Sequence, residues 1–224
     1  MSDSKRAAGR RAADLVTDGM TLGLGTGSTT FFALERLAER VKSEGLTIRG
    51  VPTSRDTEAK ARTFGIPIVD LEGLAVLDLT IDGADEVDPR KCLIKGGGGA
   101  LLREKIVAAA SREMVVVVGR DKLVEVLGRA FLLPVEVSQF GWWQASRQLE
   151  LLGCRALLRS RPDGQRFISD NGNYILDCRF DGIPDPAALE VRINEIPGVI
   201  DNGLFVDLAG RVVVGEPDGR VEVW

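Results

Sequence analysis

A chain of 224 residues, 44% hydrophobic and 28% charged, has the length and composition of a globular protein with one large core or a medium core and a small one. Its net charge of −4 offers nothing to attract nucleic acid or anionic lipid, and no apolar run approaches the ~20 residues of a membrane span. There is no histidine, which excludes a Ser-His-Asp triad, a His-ligated metal and a His general base and leaves acid–base work to carboxylates, lysines, cysteines and the single Tyr174.

The opening "MSDSKRAAGRRAADLV" lacks the hydrophobic stretch of a secretory signal, and Asp3, Asp14 and the smooth run into "MTLGLG" predict an ordinary helix capped near Ser2 to Ser4. "MTLGLG" reads as a strand and "STTFFALERLAERVKSEG" as a helix with Phe32, Leu34, Leu37 and Val41 as its apolar residues. "LTIRGVPTS" is the next strand, and "RDTEAKARTFG" a helix closed by Gly65. "IPIVDL", "VLDLTID" and "KCLIK" read as short strands, "ALLREKIVAAASR" as a helix and "EMVVVVG" as a buried strand. This alternation predicts a mostly parallel, Rossmann-like α/β sheet.

After Gly128 the pattern changes. "FLLPVEVS" reads as a strand and "WWQASRQLELLG" as a helix. "CRALLRS" and "RFISD" flank the turn Pro162-Asp163-Gly164, a hairpin signal. "NYILDCRF", the helix "DPAALEVRINEI" and the strand "GLFVDL" follow. This β-α-β-β-α-β order predicts a smaller ferredoxin-like α+β domain over 129–205, with 1–128 plus 206–224 as the larger domain and "RVVVGEPDGRVEVW" as a hairpin returning to it. Cys92, Cys154 and Cys178 are widely spaced and form no C-x-x-C pair, so they read as reduced, buried thiols of a cytoplasmic protein.

Two glycine loops stand out. "TLGLGTGSTT", residues 21–30, ends a strand and opens a helix, a nest of backbone N–H groups suited to phosphate. The dinucleotide fingerprint fails, because Ser28 stands where its third glycine belongs and "VPTS" offers Thr53 and Ser54 where the ribose-binding acid should be. A nicotinamide-dependent oxidoreductase is therefore disfavoured. "KGGGGALLREK", residues 95–105, is no Walker A loop. Four consecutive glycines weaken any helix or strand, and what they offer is close approach of backbone to ligand.

Between these loops lies "TIDGADEVD". Asp82 and Asp85 fall at the carboxyl end of a strand, where open α/β sheets bind ligands. Such a cluster also suits Mg²⁺, a metal-dependent rival, and Glu86 and Asp88 read as a solvated acidic turn. Glu104 shares a helix face with Leu101, Val107 and Ala108. A carboxylate on a partly desolvated face is either a candidate base or half of a buried ion pair. Lys95 and Lys122 each follow a strand and are placed to meet an anion.

In order along the chain, "GLGTGSTT", "DGADEVD", "KGGGGALLREKIVA", "VVVGRDKLV", "LPVEV", "SDNGNYILD", "IPGVIDNGLF" and "GEPDGRVEVW" closely resemble the ribose-5-phosphate isomerase family, type A, from residue 23 to the C-terminus. The resemblance implies interconversion of D-ribose 5-phosphate and D-ribulose 5-phosphate, in the non-oxidative pentose phosphate pathway, without metal or organic cofactor. It implies a Rossmann-like domain with a small α+β domain, and a homodimer or homotetramer. Glu104 matches the family's catalytic base. Thr26-Gly27-Ser28-Thr29, Asp82-Gly83-Ala84-Asp85, Lys95-Gly96-Gly97-Gly98 and Lys122 match its substrate-binding segments. Lys95, Asp82 and Asp85 are the further candidates for catalysis, with the division between the two aspartates open. One departure is that Ser138-Gln139 follows "LPVEV" where the family often has proline, which bears on local geometry and subunit contacts. The alternative is a non-catalytic sugar-phosphate sensor domain. Such regulators carry a helix-turn-helix, for which the residues before the first strand leave no room, and the acidic charge disfavours DNA.

Overall fold

The computed structural model describes residues 2–224. In chain order its elements are α1 (Ser2–Ala13), β1 (Thr21–Leu24), α2 (Ser28–Ser43), β2 (Arg49–Pro52), α3 (Arg55–Thr63), β3 (Leu79–Gly83), β4 (Glu86–Val87), β5 (Leu93–Ile94), α4 (Leu101–Ala109), β6 (Met114–Gly119), a 3-10 turn (Arg120–Lys122), β7 (Leu133–Val137), α5 (Trp142–Glu150), β8 (Arg155–Leu158), β9 (Tyr174–Arg179), α6 (Pro186–Asn194), β10 (Val199–Asn202), β11 (Leu204–Phe205), β12 (Ala209–Gly215) and β13 (Val221–Val223). By internal contacts Met1–Ala84, Arg103–Leu123 and Asp207–Trp224 form one unit, and Asp85–Leu102 with Val124–Val206 a second.

The larger unit is built on a six-stranded sheet in the order β13-β12-β6-β3-β1-β2. All of its pairings are parallel except the terminal β12–β13 hairpin. β6 is buried at every residue, which is why its valine run is continuous rather than alternating. Val115 and Val117 join a core with Ala8, Ala12, Leu34 and Leu37 from α1 and α2. α3 starts where the Ser54 hydroxyl accepts from the Thr57 amide, with Asp56 and Glu58 in its first turn and Lys60 and Arg62 in its last, the charge order a helix dipole favours. From β1 the chain moves to β2 on one side and then to β3 on the other, so β1 and β3 flank the topological switch point.

The smaller unit contains the antiparallel sheet β10-β7-β9-β8, with α5 after β7 and α6 after β9. This is the expected ferredoxin-like arrangement. Its core joins Val135, Val137, Ala145, Leu149, Leu176 and Ile193. A three-stranded sheet, β11-β5-β4, belongs to the same unit.

The structure differs from the sequence reading in several places. The closing strand of the ferredoxin-like unit is β10, not "GLFVDL"; that segment supplies β11, which pairs with β5. "IPIVDL" pairs with the sheet only through the Gly50–Ile68 bridge. The hairpin turn at 162–164 forms, but "RFISD" pairs only through Ser160–Arg166 and then turns away. There the side chains of Ser169, Asn171 and Asn173 all donate to Oε1 of the buried Glu136. Residues 85–102 group with the smaller unit, whereas the sequence reading kept them in the larger. Their strand pairing with β11 and the hydrogen bonds of Glu86 to residues 128–131 account for that. The helix α1 already runs through Ser4, and the residue that would cap it lies outside the described residues. At Ser138-Gln139 the Ser138 amide donates to Gly198 O at 2.8 Å, a bond proline could not make, and Gln139 Nε2 donates to Gly172 O at 2.7 Å.

Candidate active site

In the larger unit the residues after β1 and β3 come together. The Gly25 amide donates to Ile81 O at 2.9 Å, and the Thr26 and Gly83 amides donate to Asp82 Oδ1 at 3.1 and 2.7 Å. Asp82 is fully buried. A β-carbon at Gly25 would overlap the Asp82 carboxylate, so only glycine lets these two segments approach. α2 begins at Ser28 behind Gly27, whose φ of 121° and missing side chain leave the helix start without a side-chain cap. Gly27 and Ser28 are exposed and Thr29 is buried. First-turn amides at a helix start favour an anion.

The Thr26 side chain is engaged within the larger unit. Its hydroxyl lies 2.8 Å from Thr53 Oγ1, donates to Ser54 Oγ at 2.8 Å and lies 3.0 Å from Thr57 Oγ1. Thr57 in turn donates to Gly25 O at 3.0 Å. Thr26 thus ties the loop to the end of β2 and the start of α3. Lys5, on α1, donates to Ser28 Oγ at 3.0 Å. Neither Lys5 nor this hydroxyl cluster was singled out from sequence. The only signals were the density of Thr and Ser in "VPTSRDT" and a lysine one turn into the first helix.

Glu104 lies in the first turn of α4 and is 4% exposed. The burial inferred from its apolar helix face holds, and its carboxylate sits toward the positive end of the helix dipole. Lys122 closes the 3-10 turn after β6 and is half-buried. A cleft of about 570 Å³ in this unit, lined by Pro52, Glu58, Arg62, Asp70 and Ile106 among others, includes none of the candidate residues.

In the smaller unit the Asp85 amide donates to Ile94 O, and its carboxylate Oδ2 accepts the Gly97 amide at 2.8 Å. Lys95 is 2% exposed, with its Nζ 5.5 Å from the centre of the Phe205 ring, an arrangement a surface lysine does not have. Gly96 has φ 100° and begins a turn closed by the Gly99 amide on its carbonyl. Glu86 and Asp88 overturn the expectation of a solvated acidic turn. Glu86 is 1% exposed and accepts the amides of Gly128, Ala130 and Phe131 at 2.6, 3.0 and 2.7 Å. Asp88 is 2% exposed, and its Oδ1 accepts the amides of Arg90 and Cys92. Both organise backbone.

Without histidine, acid–base chemistry at these residues runs on carboxylates and lysines, and a doubly wound parallel sheet with glycine loops at its switch point defines an α/β protein that binds a small anionic ligand. The family described as ribose 5-phosphate isomerase A (phosphoriboisomerase A) matches residues 49–219. The ribose-5-phosphate isomerase A of Gloeobacter violaceus is 53% identical over 220 residues, 98% of this chain and 94% of that protein. The ribose 5-phosphate isomerase of Plasmodium falciparum superposes with a TM-score of 0.96 at 40% identity, covering 100% of this chain and 98% of that one. A D-ribose-5-phosphate isomerase in complex with phospho-erythronic acid gives 0.95 at 39% identity, covering 99% and 97%. The chain belongs to the ribose 5-phosphate isomerase A family.

Proposed function

We propose that this protein interconverts D-ribose 5-phosphate and D-ribulose 5-phosphate, with Glu104 moving the proton. The observation that carries the reading is the family match together with a buried glutamate on the helix that follows the tetraglycine loop. Aldose–ketose isomerisation shifts a proton between C2 and C1 through a cis-enediolate, and one carboxylate on one face of the sugar can perform both transfers. The oxyanion that develops needs donors. Lys95 and loop amides are the donors available, and Asp82 and Asp85 are the groups available for ring opening. The amides and hydroxyls of Gly27, Ser28 and Thr29, with Lys122, suit the phosphate; Gly83, Ala84 and Gly96 to Gly98 bring backbone close to the sugar. Thr26 enters as the residue that anchors this loop. Phospho-erythronic acid in a related structure supports a phosphorylated sugar as ligand.

A homodimer or homotetramer and a cytoplasmic location belong to the same proposal. The three free thiols support a reducing compartment, and sedimentation velocity tests the assembly. The mechanism is tested with Glu104→Gln, which keeps shape but cannot accept a proton. Turnover should fall by at least about 10²–10⁴-fold, while calorimetric binding of a non-reactive sugar phosphate is largely retained. A rate within a few-fold of the unmodified enzyme would remove Glu104 as the base and turn attention to Asp82 and Asp85.

A further inference from the structure

A loop of four glycines has no side chains with which to fix itself, and each glycine has more backbone freedom than any other residue. Within the loop only the Gly99 amide, on Gly96 O at 2.9 Å, supplies a hydrogen bond; if residues 95–98 bind substrate, as proposed above, the orientation of the Gly97 and Gly98 peptide planes has to come from outside it. Arg159, which follows β8, is placed to supply it. Its Nη1 donates to both Gly96 O, at 2.9 Å, and Gly97 O, at 3.1 Å. The other edge of the guanidinium is gripped by Asp177 on β9, with Nε to Oδ2 at 2.9 Å and Nη2 to Oδ1 at 2.5 Å. The pair is well shielded, with Arg159 12% and Asp177 19% exposed at the side chain. The ring of Phe167 flanks the guanidinium at 5.7 Å and also packs against Gly99.

The consequence is a defined orientation for two peptide planes. In the plane joining Gly96 and Gly97, the carbonyl is held by Arg159 and the Gly99 amide, and the N–H by Asp85 Oδ2 at 2.8 Å. In the next plane, Arg159 holds the Gly97 carbonyl. No peptide bond among the described residues is cis, so the Gly98 N–H points away from the guanidinium. Gly97 and Gly98 are the exposed residues of the loop, while Lys95, Gly96 and Gly99 are buried. We infer that Arg159, locked by Asp177, is a positioning residue for the isomerase: it aims the Gly98 amide at the reacting sugar by fixing the Gly96 and Gly97 carbonyls behind it. It touches no substrate itself. A lysine could not replace it, because one ammonium cannot grip a carboxylate in a fork and two carbonyls at once.

The test uses the full-length enzyme. Arg159→Ala is expected to lose about 10²-fold in kcat, the scale of a misplacement of about 1 Å, with a smaller change in KM. Added guanidinium should restore part of that kcat, and sodium chloride at equal ionic strength should not. Arg159→Lys serves where the alanine variant does not fold; it should keep its melting temperature and show an intermediate kcat. Full kcat in either variant, with Lys95→Ala inactive in parallel, overturns the role of Arg159 while leaving the loop as the substrate site. Full kcat in the Arg159 variants and in Lys95→Ala together would mean that the loop is not the site, and the inference falls with that reading. A folded Arg159→Ala that is inactive and gains nothing from guanidinium also overturns it.

Discussion

Replacing Glu86 with Gln separates scaffold from chemistry inside the acidic motif. Glu86 Oε2 accepts the Gly128 amide, and Oε1 accepts those of Ala130 and Phe131. Gln can keep its single carbonyl oxygen on the second pair, but its NH₂ group then faces the Gly128 N–H, donor against donor. A stranded buried amide costs about 1–3 kcal/mol, and each of the other two bonds weakens by about 1 kcal/mol as its acceptor loses its charge. The sum is about 3–5 kcal/mol. For a chain of this length each kcal/mol moves the melting temperature by about 2–4 °C. Urea unfolding followed through Trp142 and Trp143, both in the smaller unit, reads the loss directly. Below the transition kcat should be unchanged. A loss under about 1 kcal/mol would show that the three amides do not depend on this charge. Full stability with a collapsed kcat would make Glu86 a catalytic group.

Lys122→Ala should raise KM more than it lowers kcat, since a phosphate contact is made in ground and transition states alike; unchanged kinetics would make Lys122 an ordinary surface lysine. Isomerase activity should survive exhaustive dialysis against EDTA, because the acids of "DGADEVD" are taken up by N–H donors: Asp82 by Thr26 and Gly83, Asp85 by Gly97, Glu86 by Gly128, Ala130 and Phe131, and Asp88 by Arg90 and Cys92. Loss of activity that Mg²⁺ or Mn²⁺ restores would refute this.

The elements legible in sequence were those whose pattern is local. The valines of β6, the helical spacing of Leu34 and Leu37 in α2, and the alternation of β7 and β9 with helices each announce themselves within a single segment. What escaped depends on distant partners. β10 and β11 are separated by Gly203 alone yet join different sheets, β10 to β7 and β11 to β5. Nothing within "VIDNGLF" says where one pairing stops and the other begins. Ile68 is apolar and β-branched like any strand residue, but no neighbouring strand continues beyond its bridge to Gly50.

The site divides along the same line. Glu104 was readable because an apolar helix surrounds it, and the glycine loops because glycine is conspicuous. The four carboxylates of residues 82–88 look alike in one dimension. Their roles are set by which amides reach them, from 12 residues away for Asp85 and up to 45 for Glu86. Arg159 lies 62 and 63 residues from the carbonyls it holds, in a stretch with no motif of its own. A glycine loop stripped of side chains transfers its specification to residues elsewhere in the chain. The more freely such a loop can approach a ligand, the less its own sequence reveals about what keeps it in place, and the search for functional residues therefore has to extend to the donors behind its carbonyls.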